Sequence, residues 1–157
     1  MALDRIGYGD KTDQYSSYKN PKFRSFTGTN PAANTEISET VPAGKAWLLL
    51  SVTLTNAQAG AGATQPILQI KDPAGVVIFE NFGSTTTQAI STTCRYSWSS
   101  GGGAPSALVG ATTGVHAVSG LPDALYLPAG STIGTSSVGL SASTDFAAPQ
   151  ITVLEYS

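Results

Sequence analysis

The sequence predicts an all-β protein, a jelly-roll-like β-sandwich that carries an extended N-terminal arm. Three observations lead there. Across residues 45–56 every second side chain is apolar and the intervening face turns polar after Leu49, the period-2 pattern of a half-buried strand. Three Pro-Ala-Gly turns punctuate the chain, in Val41-Pro42-Ala43-Gly44, Asp72-Pro73-Ala74-Gly75 and Leu127-Pro128-Ala129-Gly130. Finally, no stretch of the chain shows the apolar stripe of an amphipathic helix.

Residues 1–35 read as an arm. They hold several Gly and Pro residues, follow neither a helical nor a strand period, and yet carry Tyr8, Tyr15, Tyr18, Phe23 and Phe26. Aromatic rings on an extended polar segment need a surface to lie on. That surface is either the arm's own domain or a neighbouring subunit. Together with Arg24, these five aromatics are the expected arm contacts.

Residues 36–157 read as one sandwich domain. In the strand at 45–56, Ala46, Leu48, Leu50, Val52 and Leu54 form the expected core face. Trp47 lies on the opposite face and is therefore expected at an exposed interface. Residues 66–71 and 76–81 form a hairpin about Asp72, whose carboxylate can cap its own turn. Further strands are expected at 86–90, 92–99, 115–119, 124–127, 131–135, 138–142 and 150–156. Low-complexity loops cover 57–64 and 99–110.

Composition narrows the partners. Only 11% of residues are charged, while 41% are apolar, so the chain is not of the disordered class. Residues 1–24 hold five basic and three acidic residues, whereas 25–157 hold three and seven. With a net charge of −2 the chain lacks the basic face that phosphate contacts require, and no nucleic-acid partner is expected. No apolar run approaches the length of a membrane helix or a signal peptide, so a soluble chain is expected, with no membrane partner. A lone Cys94 excludes an intrachain disulfide and fits a reducing compartment.

Catalytic constellations are equally scarce. His116, the only histidine, alternates out of phase with Val115 and Ala117 and reads as a solvent-facing strand residue. Cys94 reads as a buried structural thiol. Glu36 and Glu39 share no strand face, and Asp10 with Asp13 is too sparse for a hard-cation site. Gly60-Ala61-Gly62 lacks the remainder of a phosphate loop. The expectation is therefore a non-enzyme with no metal, cofactor or small-molecule ligand. Tyr96 and Trp98 share one strand face and read first as core. Exposed together with Tyr126, they would instead form a platform for stacking on a sugar.

The run Val41-Pro42-Ala43-Gly44-Lys45-Ala46-Trp47-Leu48-Leu49-Leu50-Ser51-Val52-Thr53-Leu54-Thr55-Asn56 resembles an opening strand of small virion proteins of tailed bacteriophages. Leu127-Pro128-Ala129-Gly130-Ser131-Thr132-Ile133 and Ile151-Thr152-Val153-Leu154-Glu155-Tyr156 are similar in style, so the resemblance covers residues 36–56 and 125–156. It implies a capsid decoration (cement) protein, a head or tail accessory protein, or part of a receptor-binding apparatus. Such proteins are commonly jelly rolls, often homotrimers, and are assembled into the virion in the host cytoplasm. The expected partners are thus further copies of the chain and a major capsid or other virion protein. The alternative is a tail or fibre module that binds host glycan or receptor through Tyr96, Trp98 and Tyr126.

Overall fold

A computed structural model describes residues 20–60, 62–109 and 113–157. Among the described residues there are eleven strands and no helix, and the strands form two facing sheets: a β-sandwich. The larger sheet runs in the order β1 (Lys22–Thr27), β11 (Gln150–Tyr156), β3 (Ala46–Gln58), β6 (Thr92–Ser100), β7 (Thr113–Leu121). The short strands β8 (Leu125–Leu127) and β10 (Thr144–Phe146) also pair with β3. The smaller sheet is β2 (Ser38–Thr40), β9 (Thr132–Thr135), β4 (Ile67–Lys71), β5 (Val77–Phe82).

The core lies between the sheets. Val52, Leu54, Tyr96, Trp98, Ile151 and Val153 of the larger sheet meet Leu68, Ile70 and Ile133 of the smaller. Each large apolar side chain buried in this way stabilises the fold by about 1.5–3 kcal/mol. All three Pro-Ala-Gly turns form, with Gly44, Gly75 and Gly130 at φ of +72°, +83° and +86°, a region in which a side chain is strained. Asp72 accepts hydrogen bonds from the Ala74 and Val76 amides at 2.9 and 2.8 Å and so closes the β4–β5 hairpin.

The expected alternation of the long strand breaks at one residue. Ser51 pairs with Thr152 but Leu49 pairs with Val153, which leaves Leu50 as an extra residue in β3. This β-bulge inverts the facing of the strand on either side of it. Beyond Leu50, Val52 and Leu54 face the core as expected. Before it, Trp47 and Leu49 do so, while Leu48 and Leu50 are only partly buried. The expected core face is therefore divided between two sides of the sheet.

Other departures have local causes. Residues 86–90, expected as a strand, form an irregular segment held by the amide of Gln88. Its Oε1 accepts from Asn56 Nδ2 at 2.9 Å and from the Tyr96 hydroxyl at 3.1 Å. Its Nε2 donates to the carbonyls of Asn56 at 3.0 Å and Thr92 at 2.9 Å. Residues 138–142 likewise form no strand: Val138 makes a single antiparallel bridge to Gln65, and the chain turns at Gly139 with φ +75°. Strands β1, β2 and β10 form where the sequence predicts none. β6 and β7 run parallel. The chain leaving β6 crosses β7 at Gly120, where an added Cβ would run into the backbone oxygens of Gly102 and Gly103.

Gln88 is fully buried, and its removal leaves the Tyr96 hydroxyl and the Asn56 amide without their acceptor. Gln88→Ala is expected to lower the unfolding free energy by about 2–4 kcal/mol, summed over two orphaned buried donors. Urea denaturation followed by tryptophan fluorescence measures it.

Candidate interaction surface

Along β11 the inward positions are Ile151, Val153 and Glu155, so the strand that ends the described chain carries a carboxylate at a core position. Glu155 is buried and has three partners. Its Oε2 accepts from Arg24 Nη1 at 2.8 Å and from Trp47 Nε1 at 3.1 Å, and its Oε1 lies 3.5 Å from Lys45 Nζ. Burial alone raises the carboxyl pKa. The hydrogen bonds from Trp47 and Arg24 and the charges of Arg24 and Lys45 outweigh it and hold the group below the ordinary carboxylate value.

This node attaches β1 to the sandwich. β1 pairs antiparallel with β11 over its whole length, Lys22 opposite Glu155 and Thr27 opposite Gln150. Arg24 and Phe26 point to the same side of the sheet as Val153 and Ile151, their partners in register. Phe26 packs on Trp47 with ring centroids 5.2 Å apart, and the Arg24 guanidinium sits 5.9 Å from the Phe26 ring. The structure thus brings together three of the expected interface residues, Arg24, Phe26 and Trp47, within one chain.

Trp47 is not the exposed contact that the alternation suggests. The bulge at Leu50 turns it inward, where it is 4% exposed. Tyr8, Tyr15 and Tyr18 lie outside the described residues. Phe23 remains a surface residue at 67% exposure.

On the outer side of the same sheet the registers line up a row of apolar side chains. Phe23 is opposite Leu154, Leu154 opposite Leu48, and Leu48 opposite Tyr126. Directly opposed residues share a face, so the row crosses β1, β11, β3 and β8. Tyr126, 41% exposed, meets Tyr156 edge-on at 6.0 Å. Beside this row the face carries hydroxyls; Thr53 and Ser97 bond across β3 and β6, and Ser25 and Thr152 across β1 and β11. A second apolar strip, Val76, Val77, Ile78 and Phe82, lies exposed on and beside β5, an edge of the smaller sheet.

The sugar-stacking platform does not assemble. Tyr96 and Trp98 are fully buried on the inner face of β6 with their rings stacked at 6.2 Å, whereas Tyr126 is on the outer surface. Burial pushes the Cys94 thiol up, which keeps it a protonated core group. His116 is exposed on β7, beside Arg95 in register. Glu36 accepts from the Ser137 amide and hydroxyl, and Glu39 from the Thr29 amide, so each carboxylate fastens a loop. Among the described residues no group of three His, Cys, Asp or Glu side chains is placed to hold a metal ion.

Sequence reasoning passed over Glu155, Leu48 and Leu154. Glu155 left a signal, an acid in phase with Ile151 and Val153. Alternation alone puts Leu48 in the core, because the bulge leaves no mark in composition. No protein-family model matches the chain, and comparison with curated proteins finds no relative.

Two outcomes follow from this geometry. Since the folded pKa of Glu155 is depressed, its stabilisation is full above the unfolded value of about 4.3 and is lost as pH falls through the folded value. Glu155→Gln is therefore expected to flatten the acid limb of a stability-versus-pH curve, measured by thermal melts between neutral pH and strong acid. Trp98→Ala is expected to cost about 3–5 kcal/mol, as a large core truncation does. A Trp98→Ala chain of unchanged melting temperature would place that ring outside the core.

Proposed function

We propose that this chain is a structural protein of a tailed-bacteriophage virion, a capsid cement protein that strengthens the head through protein–protein contacts rather than through catalysis. The observation that carries the reading is the apolar row on an outer sheet face, adjoining the point where the N-terminal arm joins the sandwich. Large apolar side chains aligned on a solvent-facing sheet suit a surface that another protein covers. The phage assignment rests on the resemblance of residues 36–56 and 125–156 to small virion proteins. The low content of charge, 11% of residues, suits a protein that lies against copies of itself and a shell. A homotrimer bound to a major capsid protein is the assembly this reading expects.

β1 is part of the sheet, so removing the arm through residue 26 would strip β11 of its neighbour and confuse unfolding with lost contact. Surface substitutions test the reading more cleanly. Phage heads lacking this chain are expected to gain heat resistance when it is added back, and Phe23→Ser with Tyr126→Ser is expected to abolish that gain with the circular dichroism spectrum unchanged. Heads whose heat resistance the wild-type chain does not alter would refute a cement role.

A further inference from the structure

Away from the apolar row, the outer face of the larger sheet has a different chemistry. On β6, Cys94, Tyr96 and Trp98 point to the core, so Arg95 and Ser97 point out. On β7, Val115 and Ala117 are buried, whereas His116 and Val118 are exposed. The registers bring the outward residues together. Arg95 lies opposite Thr55 of β3 on one side and His116 of β7 on the other, and Ser97 lies between Thr53 and Val118. Arg95, Ser97, His116, Ala117 and Val118 line a cleft of about 420 Å³, within the range of about 300–1,000 Å³ of small-ligand sites.

Arg95 gives the cleft its charge. Arg24 and Lys45 both reach Glu155, but among the described residues no carboxylate lies at ion-pair distance from the Arg95 guanidinium. Its neighbours on the outer face are Thr55, Thr93, Ser97 and His116, none of them acidic. A guanidinium presents a planar fork of donors, which a carboxylate fills with two parallel hydrogen bonds. His116 has contacts of its own, so the anion is assigned to Arg95 and the imidazole serves as a wall.

The rest of the lining suits the body that carries the acid. Hydroxyls donate and accept at once. Thr55 is one strand over from Arg95 and Ser97 two residues along, spacings of about 5 and 7 Å. Thr53 and Ser97 bond to each other at 3.2 Å, which holds the Ser97 hydroxyl in place. Val118, 55% exposed, adds a small apolar surface. One acidic group, hydroxyls along an edge and C–H groups on a face describe an acidic sugar. An inorganic anion would leave the hydroxyls and Val118 untouched, and an acidic protein side chain would bring no hydroxyls to meet them. The lining comes from strands, and β7 is fixed on its far side by backbone hydrogen bonds of 3.0 Å each way between His116 and Val109. A site built on such elements keeps its geometry without a ligand.

We propose that the cleft at Arg95 binds the carboxylate-bearing sugar of an acidic glycan, a sialic or uronic acid. The carboxylate sits on the Arg95 guanidinium and the ring hydroxyls on Thr55 and Ser97. This site does not depend on the cement reading. It lies about 20 Å along β3 from the apolar row, so one chain can present both surfaces.

The test titrates the full chain with N-acetylneuraminic acid and with glucuronic acid, followed by amide NMR, with glucose and inorganic phosphate as comparisons. Saturable shifts at residues 53–55, 95–97 and 116–118 are expected with at least one of the two acids, and binding of glucose and phosphate about tenfold weaker or less. Arg95→Gln is expected to weaken sugar binding about tenfold or more, and Arg95→Lys, which keeps the charge without the fork, severalfold. Both side chains are on the surface, and the melting temperature should not move. Thr55→Val with Ser97→Ala is expected to reduce the acidic sugar to the affinity of phosphate. The proposal is overturned by the absence of saturable shifts with either acid, or by shifts that map elsewhere. It is equally overturned by phosphate or glucose binding as well as the sugar acid, by binding that Arg95→Gln leaves intact, or by a double variant that keeps the sugar preference. None of these results bears on the heat resistance of phage heads, which is read at Phe23 and Tyr126.

Discussion

Between Ala46 and Thr53, Leu50 is the one residue of β3 with no partner in the ladder with β11, and the consequences of that insertion reach both faces of the larger sheet. On the inner side it delivers Trp47 to the Glu155 carboxylate, which Arg24 and Lys45 also approach. On the outer side it delivers Leu48 to a position between Leu154 and Tyr126. The anchoring of β1 and the apolar row beside it are thus two results of one backbone irregularity. A strand of strict alternation would have placed Trp47 in solvent and left Glu155 without its indole donor.

Burying a carboxylate is costly unless it is hydrogen-bonded and paired. β1 completes that condition: it supplies Arg24, the closest of the three partners of Glu155, and covers a second, Trp47, with Phe26. The node therefore couples three distant parts of the chain: β1, the start of β3 and β11. At the other end of β3 a different polar network performs a similar task. Gln88 ties the segment after β5 to Asn56 and Tyr96, while Gln58 accepts from Thr64 and Thr144 at 2.9 Å each. The sandwich is apolar in its middle and fastened by buried polar groups at the ends of its longest strand.

The sheet edges are treated unequally. β7 is covered by the returning chain, since Val109 and His116 exchange backbone hydrogen bonds and the Ser106 amide donates to Val118. β2 is only three residues long. β1 carries Lys22 and Arg24, charges that discourage edge-to-edge pairing. β5, with Val77, Ile78 and Phe82 exposed and a single charge at Glu80, has none of these protections. An apolar edge that no described residue covers is a place where another strand can add.

Much of this protein was legible in residue order. Alternation along 92–99, 115–119 and 150–156, β-branched content and the Pro-Ala-Gly turns identified most strands, the hairpin about Asp72 and the two-sheet class, because these are local steric preferences that each segment expresses alone. The inward phase of Tyr96 and Trp98 and the outward phase of His116 were equally local. What the tertiary structure decided is register and partner. The bulge at Leu50, the parallel run of β7 on β6, the recruitment of residues 22–27 as an edge strand and the capture of Gln88 by Asn56 all depend on hydrogen bonds between residues far apart in sequence. Such bonds form only when the second strand is already in position, and no single segment encodes them. Trp47 and Leu48 therefore exchanged the roles their sequence suggested, since the face of a strand is set by its neighbours as much as by its own alternation.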